Sequence, residues 1–147
     1  GLKRYDELML TLMDELAARI AACRRAGIGE EAIIVDPGIG FAKGPEQNLE
    51  VLKNLALMHG LGYPVMVGTS RKSFIGKIAR VDEPRARGAG SLASGLWALS
   101  QGAQYLRVHD VAETRQAVAI WRAIAGAGGP ALHTSWQHSA TSLPTTD

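Results

Sequence analysis

Apolar residues in the first part of the chain recur at steps of three and four positions, which predicts a helix with one buried face. The pattern begins near Tyr5, and Gly27 is the residue expected to end the helix. The apolar positions of this face are Leu8, Met9, Leu12, Met13, Leu16 and Ile20. We expect this face to pack onto the rest of the protein.

Three short, largely apolar runs further along the chain predict the strands of a parallel sheet, and the first of them is rich in β-branched residues and ends in the turn residues Asp36, Pro37 and Gly38. They cover residues 32–35, 64–68 and 105–108. The first run is continuous, so we expect a strand covered on both faces. The second run is followed by a polar loop. Helical patterns come after the runs, and the helices are expected at residues 44–60, 82–101 and 110–124.

Capping residues mark the expected ends of the last two helices. Asp82 is a candidate N-cap with Gly102 as the terminator, and Asp110 with Glu113 forms a candidate capping pair. Three glycines inside the helix at 82–101 should each weaken it by roughly 1 kcal/mol relative to Ala. We therefore expect something to pack closely against that helix and compensate. These glycines are Gly88, Gly90 and Gly95.

Alternating strands and helices at these spacings predict an α/β fold with a parallel sheet. Two arrangements satisfy the pattern: a small doubly wound sheet, and part of a (β/α)8 barrel, whose full length is about 250 residues. Three strands cannot close a barrel, and the leading helix has no strand before it. The chain also begins with Gly1 rather than Met. We therefore expect that an N-terminal part is missing and that the chain is a processed product or a fragment.

The character of the chain changes at its C-terminal end. Residues 126–147 are rich in Gly, Ser and Thr and have no apolar periodicity, so we predict a flexible tail after a folded domain at residues 1–125. A transient docking contact through Trp136 is the alternative.

The overall composition is that of a soluble globular domain. Of the 147 residues, 46% are apolar and 20% are charged, with a net charge of +2, which excludes a disordered, collagen-like or coiled-coil chain. No basic block favours nucleic acid, and no apolar run approaches the roughly 20 residues that span a bilayer.

Cys23 is the only cysteine, so neither an internal disulfide nor a thiolate metal cluster can form. The histidines at 59, 133 and 138 lack partners at metal-ligand spacing. We expect a cytoplasmic protein.

Polar residues follow each predicted strand, at the sheet edge where parallel α/β folds bind their ligands. The first strand ends in Asp36, followed by the Gly-rich segment 37–41. A carboxylate there can accept two parallel hydrogen bonds from an amino-amidine edge, such as that of a 2-amino-4-oxo pyrimidine. An Asp at a strand end before Pro is also a common turn-former, and this alternative stays open.

The second and third strand ends carry cations. Residues 68–74 combine Arg71 and Lys72 with three hydroxyls, in a loop that suits an anion or an electron-rich heterocycle. The alternative is a solvated surface loop. Arg107 and His109 lie two positions apart on a strand and therefore share a face, where they can grip a phosphate or diphosphate. The alternative there is a structural Arg–Asp pair beside a hydrogen-bonded histidine.

Three segments, taken in order, closely resemble the dihydropteroate synthases. They are residues 36–43 (DPGIGFAK), 68–76 (GTSRKSFIG) and 107–111 (RVHDV), and the resemblance extends from the first helix to about Ile124. Members of this family are TIM (β/α)8 barrels. The resemblance therefore implies that this chain is the C-terminal part of such a barrel, from the fifth helix through strands six, seven and eight, with three parallel strands that do not close by themselves.

The family condenses (7,8-dihydropterin-6-yl)methyl diphosphate with p-aminobenzoate, giving 7,8-dihydropteroate and pyrophosphate in folate biosynthesis. Carried over to this sequence, Asp36 holds the amino-pyrimidine edge of the pterin and Lys72 bonds the pterin from the other side. Ser73 helps to hold the p-aminobenzoate carboxylate, and Arg107 with His109 grips the departing diphosphate. The resemblance implies catalytic roles for Lys72, Arg107 and His109. The substrate-binding set that it implies consists of Asp36, Gly40, Phe41, Gly68, Lys72, Ser73, Arg107 and His109, with Gly40 and Phe41 shaping the pocket near the amine.

Parts of the family's site are absent from this sequence. These are the first-strand motif whose Asn contacts the Mg²⁺ held by the diphosphate, the two flexible loops that close over the amine, and the mid-barrel Asp and Asn. We therefore expect Mg²⁺ as cofactor with its protein contact outside this chain, and no activity from the isolated chain. The family also implies a homodimer through the C-terminal helices. The alternatives are another pterin-binding barrel, such as a methyltetrahydrofolate-type methyltransferase domain, and an inactive fragment that needs a partner.

Overall fold

The structure is a computed structural model that describes residues 2–41 and 44–126. Five α-helices, two β-strands and three 3₁₀ helices make up this part of the chain. In chain order the α-helices are α1 (Leu2–Arg25), α2 (Pro45–Lys53), α3 (Ser73–Ala79), α4 (Gly88–Ser100) and α5 (Val111–Gly126). The strands are β1 (Met66–Val67) and β2 (Tyr105–Leu106), and the 3₁₀ helices are Glu30–Ala32, Leu55–Leu61 and Pro84–Arg87. None of the helices within these residues has the length and apolar character needed to cross a membrane.

The first helix forms and ends as the pattern predicts. Met9 and Leu12 are buried in the core, with the rest of the predicted stripe packed partly buried beside them. At the C-terminal end Gly27 adopts a left-handed φ of 89°, and Ile28 N donates to Cys23 O at 3.1 Å. This pattern satisfies a carbonyl that the helix leaves unpaired, and glycine adopts the required φ without strain.

The sheet is parallel but shorter than predicted. β1 pairs with β2 through Met66 opposite Tyr105 and Val67 opposite Leu106. The predicted first strand is wrong as a continuous element, because residues Glu30–Ala32 form a 3₁₀ helix and the run joins the sheet only through a parallel bridge between Val35 and Val65.

The helices cover one face of this sheet. The core takes Ile33 and Val35 from the first run, Val65 from the residue before β1 and Val67 from β1, together with apolar residues of α1 to α4. Ile34, which points to the other face, is 45% exposed. The expectation that the first run is covered on both faces is therefore wrong. Among the described residues no layer packs over the face of Ile34, and alternate residues of the run consequently differ in burial.

The helix α3 lies where the sequence predicts only a polar loop. It buries three consecutive residues, Phe74, Ile75 and Gly76, so no three- or four-residue spacing marks it. The predicted helix at 82–101 is in fact the 3₁₀ helix Pro84–Arg87 followed by α4. Its expected cap, Asp82, is wrong, because Glu83 occupies the N-cap of the 3₁₀ helix and accepts a hydrogen bond from Arg85 N at 3.2 Å.

Close packing accounts for one of the three glycines in α4. A β-carbon at Gly90 would overlap the side chain of Ile75 in α3, which confirms the expected close approach there. A β-carbon at Gly95 would lie 3.4 Å from Leu106 Cδ1 in β2, an ordinary contact distance, and one at Gly88 would meet nothing within 4 Å. The terminator Gly102 is also confirmed, with a φ of 91°.

The remaining helices depart from their predicted limits. The pattern at 44–60 is an α-helix only as far as Lys53, beyond which the chain tightens into the 3₁₀ helix Leu55–Leu61. The capping pair predicted at the start of α5 is wrong in its first member, since both Asp110 carboxylate oxygens accept hydrogen bonds from Arg71. The tail predicted from residue 126, with Trp136, lies outside the described residues apart from Gly126, which ends α5.

Candidate active site

The turn after the Val35 bridge places Asp36 at the carboxyl edge of the sheet. Asp36 Oδ1 accepts a hydrogen bond from Gly38 N at 2.7 Å, so the turn-forming alternative is present in the structure. A carboxylate has about four acceptor sites on its two oxygens, and one turn contact therefore leaves most of that capacity for a ligand. The turn and the ligand-binding role are compatible, because the turn fixes the carboxylate in one orientation.

A buried amide holds the next part of this turn. Asn48, on α2, is 2% exposed and its Oδ1 accepts a hydrogen bond from Gly40 N at 2.8 Å. Asn48 did not stand out in the sequence. Its signal is a polar residue on the helix face that also buries Val51 and Leu52, where an unpaired amide would be costly.

Lys72 connects two of the predicted site loops. It follows β1, yet its Nζ donates a hydrogen bond to Ile39 O and lies 4.7 Å from the centroid of the Phe41 ring. Gly40 has a φ of 83°, and a β-carbon there would lie 2.7 Å from Lys72 Cδ. The structure therefore brings three of the predicted site residues, Lys72, Gly40 and Phe41, together, and glycine at 40 lets the lysine side chain cross the loop.

Gly68 lies between the second and third strand ends. A β-carbon at Gly68 would lie 3.6 Å from Arg107 Cβ and 3.9 Å from Lys72 Nζ. Ser73 begins α3 on the same side of the sheet and is exposed. Residues 36, 68 and 107 each lie two positions after a residue that points away from the helical layer. Because successive positions alternate between the two faces of a strand, all three positions are directed to that same face.

Arg71 takes a different role from the one predicted for it. Its Nε and one terminal nitrogen donate to the two oxygens of Asp110 at 3.2 and 2.5 Å. This hydrogen bonding holds the pKa of the Asp110 carboxyl below its usual value and raises the pKa of Arg71. A structural Arg–Asp pair is the alternative for the third strand end. Such a pair is present at Asp110, but its arginine, Arg71, lies in the loop after the second strand end.

Arg107 and His109 extend from the end of β2 and are both exposed. Arg107 N donates to Val67 O at 2.9 Å, which fixes the backbone, while its guanidinium has no ion-pair partner within residues 2–41 and 44–126. His109 Nδ1 lies 3.0 Å from the hydroxyl of the buried Ser70, which also accepts from His109 N at 3.2 Å. The histidine is thus oriented by a hydrogen bond and remains accessible.

The described part of the chain contains no group of three or more His, Cys, Asp or Glu residues able to hold a metal ion. What the edge offers is an oriented carboxylate, two cationic side chains, a histidine and an exposed aromatic ring. This set can bind a planar ring with a donor edge next to an anion.

The chain is similar to proteins of known type over most of its length. The family model described as pterin binding enzyme matches residues 2–109. The dihydropteroate synthase of Neisseria meningitidis serogroup C is 39% identical over 122 residues, which are 82% of this chain and 43% of that protein. The dihydropteroate synthase of Escherichia coli is 41% identical over 117 residues, or 80% of this chain and 41% of that protein.

Solved structures give the same match. The dihydropteroate synthase of Xanthomonas albilineans in complex with 7,8-dihydropteroate has a TM-score of 0.79 at 40% identity, covering 82% of this chain and 46% of its own. The enzyme of Stenotrophomonas maltophilia with imidazole bound in its active site has a TM-score of 0.80 at 34% identity, covering 82% and 45%. The fold is therefore of the TIM-barrel type, and the chain spans less than half the length of these four relatives.

Proposed function

The chain belongs to the pterin-binding enzyme family, and we propose that it supplies the pterin and diphosphate side of the active site of a dihydropteroate synthase. The observation that carries this proposal is the contact of Lys72 with Ile39 and Phe41 across the sheet edge, with Gly68 between Lys72 and Arg107. This set of contacts joins the three strand-end segments, at residues 36–43, 68–76 and 107–111, into one surface.

Asp36 and Lys72 are proposed to bind the pterin. A carboxylate matches the amino-amidine edge of the ring, because both ring groups are donors and both carboxylate oxygens are acceptors. The Gly38 N–H that binds Asp36 Oδ1 holds the carboxylate in place before the ligand arrives. Lys72, already directed over the same loop, offers its ammonium group to acceptor atoms of the pterin.

Arg107 and His109 are proposed to bind the diphosphate. In the reaction the p-aminobenzoate nitrogen forms a bond to the pterin methylene carbon while the bond from that carbon to the diphosphate oxygen breaks. The electron pair of the broken bond leaves with pyrophosphate, and the amine gives up one proton to solvent. Negative charge therefore grows on the leaving group, and fixed cationic donors beside it lower the barrier.

Ser70 supports this role for His109. A hydroxyl that accepts from the His109 backbone N–H can donate its own proton to the ring Nδ1. The ring then carries its proton on Nε2, where it can be donated to a phosphate oxygen. Phe41, Gly40 and Ser73 are proposed to border the p-aminobenzoate, with Phe41 as the exposed aromatic surface and Ser73 on the carboxylate.

Mg²⁺ remains a prediction for the complete enzyme. The residues that the structure describes offer no group of His, Cys, Asp or Glu side chains able to hold a metal, so the protein ligands of Mg²⁺ are expected outside them. A cytoplasmic location and a homodimer are further predictions. The exposed apolar side chains of Leu49 on α2 and Trp97 on α4, 45% and 48% exposed, support the second.

The test is an activity assay on the full-length protein that contains this chain, beside the 147-residue chain alone. We expect the full-length protein to form dihydropteroate and pyrophosphate in equal amounts, and the isolated chain to form neither. A full-length protein that binds a pterin but yields no pyrophosphate with both substrates present would contradict the proposal.

A further inference from the structure

Two neighbouring contacts join the loop after β1 to the loop after β2. The hydroxyl of Ser70 bonds the backbone and ring of His109, and the Arg71 guanidinium bonds both oxygens of Asp110. We propose that Arg71 and Asp110 are positioning residues, whose ion pair fixes Lys72 and His109 relative to each other. The identity of the ligands that these loops bind rests on the proposed function, whereas the effect of the ion pair on the two loops does not.

The backbone of Arg71 is held in an unfavourable conformation. Its φ of 59° lies in the left-handed region, which residues with a β-carbon rarely adopt. Arg71 N donates to Ser91 Oγ at 2.8 Å, and Arg71 O accepts from the Arg87 guanidinium at 2.9 Å. Such a conformation persists only where its surroundings impose it, and here it determines the direction in which the chain enters Lys72.

The anchors of Arg71 are themselves fixed. Ser91 Oγ donates to Arg87 O at 2.7 Å, and Arg87 also donates to the carbonyl oxygens of Val81 and Asp82 at 3.0 and 2.6 Å. The main chain of Arg71 is therefore tied to the start of α4. Its side chain is tied to Asp110, which directly precedes α5.

The ion pair also decides which charges face the site. The Arg71 and Asp110 side chains are only 26% and 31% exposed, and each neutralises the other. Arg107 has no ion-pair partner in the part of the chain that the structure describes. Arg71 therefore acts on substrates only through the loop that it holds, whereas Arg107 is available for direct contact.

The test compares variants of the full-length protein without ligand. Asp110→Asn keeps the shape and removes the charge, and Asp110→Glu keeps the charge. Glu30→Gln is the matched control, because the Arg24–Glu30 pair has the same 2.5 Å separation and lies before the Val35 bridge, on the amino side of the sheet. Amide hydrogen exchange of residues 69–73 is the first readout.

We expect exchange at residues 69–73 to become about two- to fivefold faster in Asp110→Asn, as the loss of a partly exposed ion pair predicts. The rate should return toward the parent value in Asp110→Glu and stay unchanged in Glu30→Gln. Titration with a pterin and with pyrophosphate is the second readout. The affinities for the pterin and for pyrophosphate should both fall by a similar factor in Asp110→Asn, although neither ligand contacts Asp110 in the proposed site.

Unchanged exchange at residues 69–73 in Asp110→Asn overturns the proposal. Faster exchange in a protein whose parent form binds neither a pterin nor pyrophosphate supports the link and contradicts the proposed function. If Asp110→Asn fails to fold, Arg71→Lys is measured in the same way, since it keeps the charge and loses the two-point contact. Parent-like exchange in a folded Arg71→Lys likewise overturns the proposal.

Discussion

Lys72 donates a hydrogen bond to the carbonyl oxygen of Ile39, which joins the ends of two neighbouring strand segments. The side-chain carbons of Lys72 reach Ile39 by crossing Gly40, where a β-carbon would lie 2.7 Å from Cδ. The position of the ammonium group is therefore set by the loop that also carries Asp36. This preorganisation reduces the ordering that the site must undergo when a substrate binds.

Replacing Gly40 by Ala should disturb both the backbone and Lys72. The φ of 83° disfavours any β-carbon, and the added methyl group would force the lysine side chain aside. We expect a loss of about 1 kcal/mol in the free energy of unfolding and a fall of about tenfold in pterin affinity. Calorimetric titration with a pterin measures the second effect.

Gly62→Ala is the control for this substitution. Gly62 has a φ of 80°, and a β-carbon there would meet nothing within 4 Å. It should therefore show the backbone penalty with unchanged pterin affinity. Equal pterin affinities in the two variants would show that the path of the Lys72 side chain across Gly40 does not contribute to pterin binding.

Asp36→Asn should weaken pterin binding far more than p-aminobenzoate binding. An Asn can keep its Oδ1 on Gly38 N, so the turn is expected to survive. The other oxygen becomes an NH₂ donor facing a donor edge, a mismatch that should cost about 1–3 kcal/mol. Separate titrations with a pterin and with p-aminobenzoate measure the difference, and an unchanged pterin affinity would leave Asp36 with the turn as its only role.

The placement of the strand-end residues at one edge of the sheet could be predicted from sequence, because parallel strands end at the same edge and alternation fixes a shared face. Arg71 could not be assigned in this way. Its sequence context groups it with Lys72 as a cation for the substrate, and only the folded chain brings Asp110, 39 positions later, against it. Pairing between distant side chains is not encoded in local spacing.

The errors in the fold have equally local causes. α3 is seven residues long and buries Phe74, Ile75 and Gly76 in succession, so it lacks the periodicity from which helices are recognised. The run at 32–35 has the composition of a buried strand, but only Val35 pairs in the sheet, through an isolated bridge to Val65 just before β1. A segment of strand-like composition forms a strand only where a neighbouring segment of the sheet pairs with it, and composition alone does not specify that neighbour.

The Asp110 carboxyl should titrate below the usual value of about 3.9 for an aspartate, because Arg71 hydrogen-bonds its charged form. The pair's contribution to stability is therefore present above that usual pKa and is lost as the pH falls through the lowered pKa of Asp110. Arg71→Gln should move the pKa of Asp110 upward. A carboxyl ¹³C NMR titration of parent and variant checks the direction, and equal pKa values would contradict the two-point hydrogen bond.

Arg107→Ala in the full-length protein should lower the affinity for pyrophosphate and for the diphosphate substrate, and leave the affinity for an unphosphorylated pterin nearly intact. The reason is that Arg107 lies at the end of β2 beyond Gly68, whereas Lys72 lies over the loop of Ile39 and Phe41. Loss of a charge-assisted contact of this kind should cost about 1.5–3 kcal/mol, or roughly ten- to a hundredfold in binding. Lys72→Ala should instead lower the affinity for the bare pterin as well. Parallel titrations of both variants with a pterin and with pyrophosphate separate the two roles, and identical losses for both ligands in both variants would indicate general destabilisation rather than direct contacts.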